Sequence, residues 1–397
     1  MRSKGINSEQ TKRENRLLVL RLLCTMRGIS RTEITNQIGL AKMTVSNITA
    51  ELLQNGMIRE TSAMDSVRPG AGRKQMALGI SEDTPVAAGV WISRDFCMGI
   101  LATLDLQVLS QKKTDFGENE SAQTIADKII AMVEQMRKDC PRRLIGVGIA
   151  SIGPLDLKNG IILNPPNFYG INQLPIRELL EAHLSVPVYL QNDSNAGALA
   201  EKYFGCCVDI KNFAYVGLTN GVGAGIVIKD SLFEGSRGFS GEIGHVTIDY
   251  EGSVCYCGNR GCVETVASVP VILQRFRKEL GLEVSSLAEA CRLCDENPSA
   301  EALMREVMDK LSIAFVNLCN IIDPEVIVVG HEGADLTDRQ LDFMEQRVNL
   351  GILAKNFAAV KVLRSSFGTL APLYGAAVVV LKKIFDGKLC YDEIFHA

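Results

Sequence analysis

The sequence has no unbroken apolar run near the ~18 residues a membrane-spanning helix needs, although 47% of its 397 residues are hydrophobic. The first candidate, Leu17–Cys24, is interrupted by Arg21. No small-residue cleavage site follows it, as one would follow a secretory signal. These absences predict a soluble, cytoplasmic protein without a membrane partner, long enough for two or three domains. They also bear on the twelve cysteines. A disulfide framework belongs to oxidising compartments, and cytosolic cysteines serve more often as metal ligands or small buried hydrophobes. Cys24, Cys97, Cys140 and Cys319 lie in apolar stretches and are expected in the core, whereas Cys206-Cys207 carries no reading.

An overall excess of positive charge is missing too, since the formal net charge is −4. That sum hides an asymmetry. Residues 1–80 hold 13 Lys+Arg against 6 Asp+Glu, a net +7, and the remainder is −11. A small basic module on an acidic body implies a polyanionic partner at one end only.

Residues 9–27 lack Gly and Pro and carry five leucines, which predicts a helix stopped by Gly28. Ser30-Arg-Thr-Glu33 is a capping-box pattern that starts a short helix bearing Ile34 and Ile38. Gly39 supplies the turn into a second helix, about Lys42–Asn55, with Val45, Ile48, Leu52 and Leu53 facing inward. Its other face presents Lys42, Met43, Thr44, Ser46 and Asn47, the side chains a recognition helix aims at base edges and phosphates. The basic, glycine-rich segment Arg68-Pro-Gly-Ala-Gly-Arg73-Lys74 then falls where a winged helix places its wing. The plainer alternative is a three-helix interaction module.

From Pro85 onward, apolar runs alternate with helical stretches, the pattern of an α/β fold. Strands are expected at 86–92, 98–104, 144–150, 186–190, 213–218, 224–228 and 326–329. Helices are expected near 121–138, 175–184, 194–204, 267–280 and 300–322. Two glycine turns stand out, Gly148–Pro154 and Gly221–Gly225. Further on, His245 precedes Cys255, Cys257 and Cys262, a nitrogen and three sulfurs with the ligand chemistry of a closed structural zinc site. Glu242 and Glu264 bracket the cluster. It is either a staple that closes a loop or a scaffold that fixes acceptors for a polar ligand.

Gly148 to Asp156, Asn164-Pro-Pro-Asn167, Asn192-Asp193-Ser-Asn195-Ala196, Thr219 to Gly225 and the His245/cysteine run together resemble the ROK family of repressors and kinases. The resemblance covers nearly the whole chain. It implies an actin-like, two-lobed sugar-kinase-type α/β fold, here preceded by a winged helix-turn-helix domain. The implied division is 1–80 for the DNA-binding head, 81–194 plus 371–397 for lobe I, and 195–370 for lobe II with the zinc loop and dimer contacts. It further implies that Asn167, Asn192, Asp193, Glu242, His245 and Glu264 line a sugar site, with His245 both holding structural Zn2+ and touching the sugar. Carboxylates and amides suit a ring of hydroxyls, each both donor and acceptor. Asn192-Asp193 would also serve as an ordinary helix cap.

Kinases of the family use the Asp193 counterpart as general base and need glycine-rich phosphate cradles. The first cradle position here reads Gly89-Val-Trp91-Ile-Ser-Arg94-Asp95, with no Gly-Gly pair. The second keeps its glycines but has Asn220, and the adenosine-side loop reads Gly330-His331-Glu332-Gly333. An intact sugar half beside an eroded nucleotide half points to a sugar-responsive regulator, a repressor rather than an enzyme. An ATP-dependent sugar kinase with a DNA-binding head is the alternative. The implied partners are palindromic operator DNA, a monosaccharide or sugar-phosphate effector, a second copy of the chain in a dimer or tetramer, and, as in some relatives, a phosphotransferase-system protein. Ile171 stands where an aromatic often follows Gly170 in the family, so glucose specificity does not carry over.

Overall fold

The computed structural model describes residues 8–61 and 76–389. The head begins with α1 (Ser8–Thr25), followed by the short strand β1 (Ile29–Ser30), α2 (Arg31–Ile38) and α3 (Lys42–Gln54). The expected capping box starts α2. The Ser30 hydroxyl accepts the Glu33 amide at 3.2 Å, and the Glu33 carboxylate accepts the Ser30 amide at 2.8 Å. Gly39, at φ +66°, ends that helix in the left-handed conformation that glycine adopts without steric cost. Helix α3 buries Val45, Ile48, Thr49 and Leu52, and no side chain caps its first turn. Strands β2 (Ile58–Thr61) and β3 (Ala77–Ile80) pair antiparallel, and β1 joins on the other side of β3. The expected wing residues Arg68, Arg73 and Lys74 lie outside the described residues.

The chain divides into two compact units, one of residues 1–151, 159–190 and 376–397, the other of 152–158 and 191–375. In the first, β4 (Val86–Ile92), β5 (Phe96–Ala102), β6 (Val108–Asp115), α4 (Ala122–Asp139) and β7 (Leu144–Ser151) follow one another. After the two-residue strands β8 (Leu155–Asp156) and β9 (Ile161–Ile162) come α5 (Ile176–Leu184) and β10 (Val188–Asn192). The sheet order is β10-β7-β4-β5-β6, with β4 parallel to β7 and antiparallel to β5. Every residue of β4 and β7 is buried, so both read as continuous apolar runs, as central strands covered on both faces do.

The second unit opens with α6 (Asp193–Phe204), then β11 (Phe213–Leu218), β12 (Val222–Ile228) and β13 (Ser231–Leu232). Next come the helices α7 (Glu264–Ala267), α8 (Val269–Leu280), α9 (Leu287–Leu293) and α10 (Pro298–Ile322), then β14 (Val326–His331), α11 (Asp338–Gly351) and β15 (Lys361–Arg364). Its sheet order, β13-β12-β11-β14-β15, repeats that of the first. One side of it carries a continuous core from α8, α10 and α11, including Phe276, Met304, Phe315 and Met344. Helix α12 (Ala371–Phe385) closes the described chain.

Three expectations change. Gly148 and its neighbours do not turn. They belong to β7, where glycine is required because a Cβ on Gly148 would lie 1.8 Å from the Ala376 carbonyl oxygen. Likewise Gly223 and Gly225 sit inside β12, and the turn is confined to Thr219–Gly221. The third concerns apolar length. Gly368–Phe385 does meet the length and composition of a membrane span, but 61% of it is buried within the protein, as in a core helix. It escaped notice because Lys382 and Lys383 interrupt its end.

Candidate functional site

Within the second unit, the candidate site begins where β10 gives way to α6. Asn192 adopts extended backbone, and its side-chain oxygen accepts the amides of Ser194 (3.0 Å) and Asn195 (3.2 Å). The capping role is therefore real, and it leaves only the Asn192 Nδ2 group to donate outward. Asp193, the first helical residue, is buried. Its Oδ1 accepts the Ser194 amide at 2.7 Å, and its Oδ2 lies 3.5 Å from His331 Nε2.

Glu242 sits just before the short 3-10 turn Ile243–His245. Its side chain reaches the surface, yet the surrounding atoms desolvate it enough to raise its pKa. His245 opposes that shift, and the charges of Asp193 and Glu264 reinforce it. The charges of Asp193 and Glu264 are thus close enough to Glu242 to act on it. Glu264 opens α7, and its Oε2 accepts the Val222 amide at 3.3 Å. Gly221 permits this, because a Cβ there would stand 2.8 Å from the same oxygen.

The ligand atoms of His245, Cys255, Cys257 and Cys262 all lie within 4.8 Å of one another. Cys255 Sγ is 3.7 Å from His245 Nδ1, and Cys257 Sγ is 3.7 Å from Cys262 Sγ. Zinc bonds of about 2.3 Å to sulfur and about 2.0 Å to nitrogen give tetrahedral edges of roughly 3.5–3.8 Å, so the four residues fit such an ion. Desolvation pushes the Cys262 thiol up to about 12, and it raises Cys255 as well. Hydrogen bonding to the Asn259 backbone lowers Cys257 instead, and a bound cation would ionise the two raised thiols. Because Nδ1 faces the sulfurs, the other ring nitrogen points away from them, and there Tyr256 Oη lies 3.1 Å from Nε2. Gly261, at φ +66°, lets the loop close against Asp249, whose carbonyl oxygen would be 1.5 Å from a Cβ.

Asp193, Glu242, His245 and Glu264 are thus brought together in one unit. Asn167 belongs to the other, exposed in the loop between β9 and α5 at φ +57°. In the head, Lys42, Met43, Ser46 and Asn47 are exposed along the outer face of α3, with Thr44 half-buried among them.

Sequence reasoning missed Tyr215, Tyr256 and Glu332. Thr219 Oγ1 donates to Glu332 Oε1 at 2.9 Å, so an acid of the β14 loop holds the glycine-rich turn from one side while Glu264 holds it from the other. Burial raises the Glu332 pKa. The only signal for this was the replacement of a plain glycine turn by His331-Glu332.

A family model described as "ROK family" matches residues 87–383. A xylose repressor of Caldicellulosiruptor bescii is 29% identical, over 96% of this chain and 98% of its own length. The crystal structure of a ROK family transcriptional regulator, a homologue of the E. coli MLC protein, matches with a TM-score of 0.79 at 26% identity, covering 97% of this chain and 99% of that one. A ROK family glucokinase from Streptomyces griseus, in complex with glucose and AMPPNP, matches with a TM-score of 0.65 at 26% identity, covering 74% of this chain and 98% of its own.

Proposed function

Because the chain belongs to the ROK family, we propose that it is a sugar-responsive DNA-binding transcriptional regulator, a repressor of carbohydrate uptake or catabolism genes acting in the cytoplasm. The observation that carries this reading is one of extent. The family match begins at residue 87, and ahead of it stands a complete three-helix module with its own antiparallel sheet. The regulator structure covers that module as well as the body. In this reading residues 1–80 form the winged helix-turn-helix head, 81–194 with 371–397 form lobe I, and 195–370 form lobe II.

The outer face of α3 reads a half-site in the major groove. Lys42 meets a phosphate, and the uncapped first turn of α3 leaves amides that suit another. Arg68, Arg73 and Lys74 serve the wing. A palindromic operator requires two heads, so the chain works as a dimer or tetramer. The exposed apolar side chains Ile321, Leu350, Leu353 and Phe357 on lobe II supply a surface for that contact.

The effector is a monosaccharide or sugar phosphate held by Asn167, Asn192, Asp193, Glu242, His245 and Glu264. The carboxylates accept its hydroxyl protons, and Asn192 Nδ2 donates to a hydroxyl oxygen. His245, Cys255, Cys257 and Cys262 hold a structural zinc, whose charge keeps the thiolates ionised and the His245 ring fixed. By linkage, the sugar releases DNA only as far as it binds the DNA-incompetent arrangement more tightly. Head and body touch within the first unit. Arg13 Nη2 donates to the Gly387 carbonyl at 2.6 Å, and Arg27 lies 3.9 Å from Asp105. Those contacts are the nearest means of passing a change in the body to α1. A phosphotransferase-system protein is a second possible effector.

A thermal-shift screen with D-xylose, D-glucose, N-acetyl-D-glucosamine and hexose 6-phosphates tests the reading, since a ligand of the native state raises the midpoint. At least one sugar should do so without ATP being consumed. ATP turnover with that sugar well above an Asp193→Asn control would make the chain a kinase instead.

A further inference from the structure

His331 is nearly completely buried, yet its backbone sits at φ +52°, ψ −141°, a region close to that reserved for glycine. Strain of this kind persists only where the surroundings hold it, and here they are built around the ring. A Cβ on Gly217 would lie 2.4 Å from His331 Nδ1, and one on Gly330 would lie 2.1 Å from the Tyr215 hydroxyl. Both glycines therefore make room for one contact set. The plain alternative is a core histidine that happens to be satisfied, but such a residue needs neither a forbidden backbone nor a slot cut on two sides.

Two polar contacts join His331 to the Tyr215 hydroxyl. The His331 amide donates to the Tyr215 hydroxyl oxygen at 3.0 Å, and the same hydroxyl lies 3.1 Å from His331 Nδ1. Burial pushes the Tyr215 phenol well above its ordinary pKa, so it keeps its proton. With that proton given to Nδ1, both contacts are hydrogen bonds. In a neutral imidazole the ring proton is then on Nε2, the nitrogen 3.5 Å from Asp193 Oδ2, an approach longer than a formed hydrogen bond. The other carboxylate oxygen accepts the Ser194 amide.

We propose that Tyr215 and His331 are positioning residues that hold Asp193 in a fixed orientation as a hydrogen-bond acceptor for a hydroxyl of the effector. The assignment rests on the sugar-sensing reading above and deepens it. An N–H facing the carboxylate from behind orients it and leaves lone pairs for a sugar hydroxyl. Asp193 so held is an oriented acceptor.

The test uses the full-length, zinc-loaded protein. Only four histidines are present, so long-range ¹H–¹⁵N spectra resolve their rings, and His331→Gln identifies the signal of interest. The expected result is a neutral His331 with its proton on Nε2, a pattern that Tyr215→Phe disturbs. In parallel, Tyr215→Phe and His331→Ala should each weaken whichever of D-xylose, D-glucose or N-acetyl-D-glucosamine binds by roughly tenfold, about 1.4 kcal/mol. His331→Gln, which keeps an amide donor, should recover part of that loss, a rescue that mere space-filling does not explain. Unchanged melting midpoints without sugar separate this from misfolding. A proton on Nδ1, or unaltered sugar affinity in Tyr215→Phe, overturns the proposal. A wild type that binds none of the three and no hexose 6-phosphate contradicts the sugar-effector reading, and with it the role given to Asp193, while the spectrum still decides the ring's tautomer.

Discussion

The two five-stranded sheets share one strand order, and their first hairpins occupy equivalent places in it. The hairpin of the first sheet, from β4 to β5, turns through Ser93-Arg94-Asp95. Trp91 stands at its base, packed edge-on against Phe96 with ring centroids 5.2 Å apart. In the second sheet the hairpin from β11 to β12 is glycine-rich, and each glycine is occupied. Glu264 lies over Gly221, the Ser194 hydroxyl over Gly223, and the Ser194 carbonyl over Gly225. One hairpin has lost the open glycine turn that a phosphate needs, and the other has kept its glycines to admit neighbours from its own chain. The carboxylates near the second hairpin, Asp193, Glu242 and Glu264, remain grouped. A repeated topology can thus carry different side-chain surroundings at equivalent turns.

The largest effect should come from the loop that adjoins the grouped carboxylates. Cys257→Ser removes one ligand, so zinc content measured by plasma mass spectrometry should fall from one per chain to near zero. Stability should drop by on the order of 4 kcal/mol or more in denaturant titration. Next, Gly225→Ala forces a methyl to within 2.4 Å of the Ser194 carbonyl oxygen and 2.7 Å of the Ala198 Cβ. It should cost about 1–3 kcal/mol in the same assay, as overpacking does. Arg94→Ala in the other hairpin should stay within about 0.5 kcal/mol of the wild type. Equal costs for these two substitutions would mean that the hairpins are built alike after all.

Much of this arrangement was legible in the sequence. The metal cluster, the cap at Asn192 and the capping box at Ser30 depend on residues close together in the chain, and local spacing carries local geometry. The unanticipated features are of two kinds. Strand β6 alternates half-buried and exposed residues in a polar stretch with Lys112 and Lys113, and α12 is apolar almost all round. Neither shows a one-sided helical stripe, so periodicity was silent on both. The Tyr215–His331 contact joins residues 116 positions apart. It depends on the parallel register of β11 with β14, which places Leu218 opposite His331. No single sequence fixes a register of that kind, because residues on both strands alternate faces alike.

The account's central claim is that the retained carboxylates form a sensor coupled to the head. It is tested most directly by fluorescence anisotropy of a labelled palindromic operator, titrated with full-length protein with and without the sugar found by thermal shift. Saturating sugar should weaken operator binding at least tenfold in the wild type. Glu264→Ala should bind the operator as tightly as the wild type does without sugar and respond to the sugar only at much higher concentration. Operator affinity that is indifferent to every bound sugar, or a Glu264→Ala protein that no longer binds DNA at all, would contradict it.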